Sequence, residues 1–264
     1  MDLGLTNKIA IVTGGSRGIG ASIVANLLEE GARVANIDKS APDDEFLALS
    51  KERYFHLPTD LCDSDACGAA VSEIVGHFGR INVLVNNAGV NDAVNLAAGP
   101  AAFVDSLQRN LVHYYAMVHF ARDELKKHSG AIVNIGSKVS LTGQGGTSAY
   151  AAAKGGINSL TREWAVALAP YSVRVNAVLP AETWTPMYAD WIDSLENGAE
   201  TKAAIESLIP LGRRFTTADE LARTVVFLAS DASSHTTGQI LLVDGGYTHL
   251  DRKCTADGEG WGNV

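Results

Sequence analysis

Cysteine is scarce: Cys62, Cys67 and Cys254 are the only three in 264 residues. Three cannot all pair with one another, and their spacing matches no zinc pattern. The expectation is reduced thiols in a cytoplasmic protein that holds no metal. Long apolar runs are missing as well. The apolar stretches are strand-sized, as at residues 8–12 and 240–243, well short of the roughly 20 residues that span a bilayer. No basic segment precedes an apolar one after Met1-Asp2-Leu3-Gly4, so neither a secretory leader nor a membrane association is expected. Positive charge is also in deficit, with 21 Lys and Arg against 30 Asp and Glu and a net charge of −9, which argues against a nucleic-acid partner. Mild acidity keeps soluble proteins apart and carries no information about a substrate.

What the chain does have is apolar residue in quantity, 46% of the total, enough for a large core. Short β-rich runs at 8–13, 33–37, 53–57, 82–86, 131–135, 174–179 and 240–243 alternate with helix-length segments. Most are continuously apolar, as strands covered by helices on both faces must be. The alternation predicts an α/β fold: a single-domain, Rossmann-like, doubly wound parallel sheet of about seven strands with helices on both faces. Residues 1–250 form the domain. Residues 181–210 interrupt the rhythm with Trp184, Met187 and Trp191 and no strand. That segment reads either as a substrate-side lid or as a helical hairpin packed on the core. Residues 251–264 form a polar tail, frayed or packed on a neighbouring subunit.

The first strand runs into Thr13-Gly14-Gly15-Ser16-Arg17-Gly18-Ile19-Gly20, and a helical pattern follows. Glycines let the backbone approach a pyrophosphate, and the helix N-terminus adds a positive dipole. The position between the first strand and first helix is what makes the motif specific. Asp38 ends the second strand, eighteen residues after Gly20. A carboxylate there accepts hydrogen bonds from the adenosine ribose and repels a 2′-phosphate, favouring NAD over NADP. Arg17 and Lys39 pull towards NADP.

Tyr150 and Lys154 lie four residues apart in a helical segment, so they share a face about 6 Å apart along the axis. A phenol with a pKa of about 10 is a poor base at neutral pH, and three units of lowering need roughly 4 kcal/mol. A lysine cation and an oxidised nicotinamide would both favour the phenolate, so the tyrosine pKa is expected to fall. Ser137 follows the strand at 131–135, where the carboxyl edge of a parallel sheet opens its ligand crevice.

Together these residues resemble the short-chain dehydrogenase/reductase family over essentially the whole chain. The match runs through Thr13-Gly14-x-x-x-Gly18-x-Gly20, Asp60, Asn86-Asn87-Ala88-Gly89, Asn110, Ser137, and Tyr150 with Lys154. The resemblance implies that Tyr150 is the acid/base and that Ser137 orients the substrate oxygen. Lys154 then holds the nicotinamide ribose, and Asn110 anchors a water relay. It further implies cofactor contacts from Gly14, Ser16, Arg17, Gly18, Ile19, Gly20, Asp38, Asp60, Leu61, Asn87, Ala88 and Gly89. The family's usual Pro-Gly is Pro180-Ala181 here, and Thr183 and Thr185 are both candidates for the nicotinamide contact. A homotetramer is implied too, with the helix around 103–120 (Tyr114, Tyr115, Met117) as an interface or, equally, as core.

Glu182 is unusual for an apolar steroid or acyl pocket, with Trp184 and Trp191 beside it and Gln144 expected across the cleft. Carboxylate and amide groups beside aromatic faces suit a polyhydroxylated ligand. Each also has a plain alternative as an ion-pair, loop or packing residue. Residues 142–154, 176–192, 209–214 and 235–252 resemble a subgroup, the bacterial L-fucose dehydrogenases. That resemblance implies oxidation of the C1 hydroxyl of L-fucose, or of a sugar of like configuration such as L-galactose or D-arabinose, to the lactone. Ser137, Gln144, Tyr150, Glu182, Trp184 and Trp191 are the candidate contacts to the sugar. The alternatives are a dehydrogenase of 3-oxoacyl, steroid or simple alcohol substrates, and a non-catalytic dinucleotide-binding regulator.

Overall fold

The computed structural model describes residues 2–251, so Met1 and residues 252–264, with Cys254, lie outside the described residues. The strands are β1 (Ile9–Thr13), β2 (Arg33–Ile37), β3 (Tyr54–Leu57), β4 (Val83–Asn86), β5 (Ala131–Ile135), β6 (Arg174–Pro180), β7 (Thr183–Trp184), β8 (Thr216–Thr217) and β9 (Ile240–Val243). Seven of them form one parallel sheet in the order β3-β2-β1-β4-β5-β6-β9. The order reverses between β1 and β4, which sit side by side with Val12 opposite Val85. At such a reversal the crossovers leave in opposite directions and a crevice opens beyond the strand ends.

The helices are α1 (Gly18–Glu29), α2 (Asp44–Leu47), α3 (Ser64–Phe78), α4 (Gly99–Leu107), α5 (His113–Lys127), α6 (Ser148–Leu168), α7 (Pro186–Asp193), α8 (Gly198–Ser207) and α9 (Ala218–Ala229). Residues of α3, α5 and α6 build a core on one face of the sheet with Ile11, Leu84 and Ile132. Those of α1 and α9 build another with Ala10, Val12, Val85 and Val133. Alternate residues of one strand thus serve two cores, which is why these strands carry no polar face. Along α9, Leu221, Ala222, Val225, Val226, Leu228 and Ala229 are all buried; each large one contributes roughly 1.5–3 kcal/mol. A capping box of Thr217 and Glu220 starts that helix and satisfies amide groups that no intrahelical carbonyl reaches.

Two expectations change. Residues 181–210 do contain a strand: β7 pairs in parallel with β8, Thr183 opposite Thr216 and Trp184 opposite Thr217. Two-residue pairings are set by long-range contact and leave no periodic trace. The helical stretch around 103–120 is not one regular helix either. A π-helical turn over Gln108–Val112 joins α4 to α5, and such turns gather at functional positions. Tyr114 and Met117 belong to the core, whereas Tyr115 is exposed. No helix among the described residues is long and apolar enough to cross a membrane, and they hold no cluster of potential metal ligands.

Candidate active site

The turn after β1 is shaped by glycines where nothing else fits. Gly14 has φ +65°, and a Cβ there would lie 2.9 Å from the Ala88 backbone. At Gly20 a Cβ would fall 1.9 Å from the Gly14 carbonyl oxygen. Asn36, fully buried in β2, accepts the Gly15 N–H at 2.9 Å and donates to Ser16 Oγ and Tyr54 Oη. The Asn87 amide donates to the carbonyls of Thr13 and Gly14 and ties the loop after β4 to the turn. α1 then begins without a side-chain cap or an acidic residue in its first turn. Its leading amides and positive dipole are thus left for an anion.

A cleft of about 580 Å³ opens over this turn. Its walls include Gly14, Arg17, Gly18, Ile19, Gly20, Asp38, Asn87, Ala88 and Gly89, and, further along, Tyr150, Lys154 and Thr185. Asp38 is held by the Ser16 and Ser40 amides, at 3.0 and 2.9 Å, one on each oxygen. Thr185 lies across the cleft beside Gly18. The uncapped helix end, the glycine turn that excludes a Cβ and the braced carboxylate together fit a dinucleotide laid along the carboxyl ends of the strands.

Other residues fall elsewhere. Ser16 is buried beneath the turn and donates to the Ser40 carbonyl. Asp60 faces Lys39 at 3.3 Å and accepts the Cys62 amide, while Leu61 packs against the core; neither borders the cleft. Lys39 is thereby engaged by a carboxylate of its own. Thr183 is buried with no partner for its hydroxyl among the described residues, and of the two threonines it is Thr185 that borders the cleft. Ala181 has no left-handed backbone, and alanine is tolerated there.

Tyr150, Ser137, Lys154 and Asn110 come together. The Ser137 hydroxyl acts on the Tyr150 phenol and lowers its pKa, and Lys154 Nζ lies 5.4 Å from the Tyr150 ring centre. Asn110, in the π-turn, accepts the Val90 amide at 2.8 Å, and a Cβ on Gly89 would meet both Asn110 and Lys154. The tyrosine pKa differs from the sequence expectation. Burial pushes the phenol up to about 12, only partly offset by Ser137, and Asp92 pushes the same way. Burial also brings Lys154 down to about 7. The lysine does not offset that burial, because desolvation disfavours both charged forms.

The substrate side is different from the pattern anticipated. Glu182 forms an ion pair with Lys138, whose ammonium sits 4.0 Å from the Tyr247 ring centre. Its other oxygen accepts from Tyr188 Oη at 2.7 Å. Burial and this carboxylate raise the Tyr188 pKa. Trp184 packs edge-on against Phe215, Trp191 edge-on against Tyr188, and Gln144 accepts from Thr147 on an exposed loop. None of these three borders the cleft, nor do Glu182, Lys138 and Tyr188, which lie beside it, whereas Pro186, Met187 and Asp190 do. Lys138 was missed because its partner Glu182 is 44 residues away, and Tyr188 because its six-residue spacing from Glu182 spans β7 and the start of α7 and so follows no single helical or strand period. Lys138 directly follows Ser137, which was the available signal.

A seven-stranded parallel sheet with a dinucleotide-type turn and a Ser-Tyr-Lys cluster defines a nicotinamide-dependent oxidoreductase. The chain belongs to the short-chain dehydrogenase/reductase family. The family model described as enoyl-(acyl carrier protein) reductase matches residues 14–248. An L-fucose dehydrogenase of Mus musculus is 35% identical, over 91% of this chain and 88% of its own. A 3-oxoacyl-[acyl-carrier-protein] reductase of Thermotoga maritima is also 35% identical, over 92% and 98%. Among solved structures, Cj0485 dehydrogenase superposes with a TM-score of 0.92 at 44% identity, covering 96% of this chain and 98% of the other. An aldohexose dehydrogenase of Thermoplasma acidophilum gives 0.85 at 31%, covering 94% and 96%.

Proposed function

We propose that this protein oxidises the C1 hydroxyl of L-fucose, or of an aldose of like configuration, to the lactone, with NAD as the preferred acceptor. The observation that carries the sugar reading is the Lys138–Glu182–Tyr188 cluster. It sets a carboxylate, an ammonium and a phenol at the strand ends next to Ser137. The three groups pair with one another, yet the ammonium and the carboxylate keep further donor and acceptor capacity that sugar hydroxyls can use and an acyl chain or steroid cannot. The similarity to L-fucose and aldohexose dehydrogenases points the same way. NAD is favoured because Asp38 stands braced at the cleft and Lys39 is turned to Asp60.

In this mechanism Ser137 donates to the reacting oxygen and fixes it beside Tyr150. Ionised Tyr150 takes the C1 hydroxyl proton as the C1–H bond breaks and the C1–O double bond forms. Lys154 holds the phenolate by its positive charge, and Asn110 braces the loop over Lys154 through Val90. A bound nicotinamide supplies the acceptor for the hydride that leaves C1.

The test is initial-rate absorbance at 340 nm with NAD⁺ or NADP⁺ against pentoses, hexoses, 6-deoxyhexoses and apolar secondary alcohols. Turnover of L-fucose with NAD⁺, abolished in Tyr150→Phe, is the expected result. Activity on apolar alcohols with none on any sugar would overturn the sugar assignment and leave the enzyme class standing. The second reading, reduction of an acyl substrate, draws on the similarity to acyl-carrier reductases and on exposed Met187 and Leu211.

A further inference from the structure

Lys154 is 2% exposed, and burying an ammonium costs heavily unless its N–H groups are received. Two acceptors receive them: the Ile135 carbonyl at 2.9 Å, at the end of β5, and Tyr114 Oη at 3.3 Å, from α5. Tyr114 is 0% exposed. Its own hydroxyl proton goes to the same Ile135 carbonyl at 2.9 Å, so the oxygen lone pairs are turned to the ammonium. The ammonium therefore sits between two phenol rings, 5.3 Å from the centre of Tyr114 and 5.4 Å from that of Tyr150, both within cation–π range. A phenylalanine would fill the same core volume without burying a hydroxyl, so packing alone gives no reason for the oxygen.

We propose that Tyr114 is a positioning residue of the active site: it receives the Lys154 ammonium and holds that side chain charged and in place beside Tyr150. The titratable groups facing the pair are few. Tyr150 lies on α6 itself, Asp92 acts on Tyr150 from the loop after β4, and His113 precedes Tyr114 on α5. Asp92 is paired with Arg109 and with Ser106 Oγ. His113 is held neutral, pushed down to about 4 by burial and by Lys154. Its Nε2 faces the Arg109 carbonyl. Of these groups, Tyr114 alone offers Lys154 a side-chain hydrogen bond among the described residues.

The consequence is specific. Oxidation needs Tyr150 ionised while Lys154 stays protonated, a form with the same proton count as neutral lysine beside neutral phenol. In the free protein Lys154 loses its proton first, near 7. Losing one hydrogen bond to a charged group lowers the lysine pKa by about one unit. In Tyr114→Phe the rising limb of kcat/KM for the dinucleotide, which reports the free enzyme, should therefore flatten about one pH unit earlier. Its plateau should be about tenfold lower. On the acid side of that limb the two profiles should coincide, because there the active fraction depends on the Tyr150 pKa alone.

The experiment measures that profile for wild type and Tyr114→Phe with any alcohol substrate that wild type turns over. It is paired with ¹³Cε-lysine NMR titration of both free proteins, with the Lys154 signal assigned by its loss in Lys154→Met. A joint acid shift of the kinetic limb and of the Lys154 titration supports the proposal. An unmoved limb and an unmoved Lys154 titration overturn it, whatever happens to the melting temperature. The kinetic arm uses only the ratio between the two proteins, so failure of the sugar reading leaves it intact.

Discussion

Gly20 shows how little freedom the turn after β1 allows. A methyl group there would sit 1.9 Å from a backbone oxygen and 2.6 Å from Asn87 Nδ2, so the turn must open before the methyl fits. Gly20→Ala should leave the sheet intact while weakening dinucleotide binding by at least about tenfold, a loss of roughly 1.4 kcal/mol. Calorimetric titration with NAD⁺ measures it, and unchanged affinity would mean that the turn is not the phosphate cradle. The glycine turn, Asp38, Tyr150 and Lys154 were legible in sequence because each chemistry is local to a few residues. Asn36, Lys138, Tyr114 and Tyr188 were not, because each acts on a partner from another element. The height of the Tyr150 pKa was illegible for a related reason: it depends on burial, which spacing does not report.

Among the elements, α9 is the clearest case of a helix specified at its start. Thr217 accepts the Glu220 amide, and Glu220 accepts back from the Thr217 amide and from Arg214. Thr217→Ala should cost about 1 kcal/mol of stability, read by urea denaturation. The Glu220 carboxyl is drawn down to about 2 from an ordinary 4.5, chiefly by Arg214. A carboxyl depressed in the folded state stabilises above its unfolded pKa, and that contribution fades as pH falls towards the folded one. The stability gap between wild type and Glu220→Gln should therefore narrow between pH 4.5 and 2; a gap constant over that range would refute the assignment. Arg214 and Glu220 are both substantially solvated, so the gap itself should be small. Strand positions were read to within a residue, as at β1 and β4, because continuous apolar runs have only one place to go. β7 and β8 were invisible, being defined by each other.

At the scale of the whole molecule, two cores share one sheet, and β1, β4 and β5 are buried from end to end. Their amides should open only with global unfolding, whereas those of β9, only half-buried at the sheet edge, should exchange sooner. Hydrogen exchange followed by mass spectrometry orders them, and early exchange of β4 would contradict a continuous core. The succession of the seven strands of the main sheet was legible; the cross-sheet partnerships that build the substrate side were not. Those partnerships have an evolutionary corollary. The pairing of β7 with β8 brings Trp184 and Thr217 to one strand spacing, so everything between them is a loop already closed at its neck. Closure entropy grows only slowly with length, and the neck stays fixed whatever lies beyond it. The stretch carrying α7 and α8 can accordingly be lengthened, shortened or exchanged while the sheet and its hydride-transfer machinery are inherited unchanged, making it the natural place for a new specificity to arise.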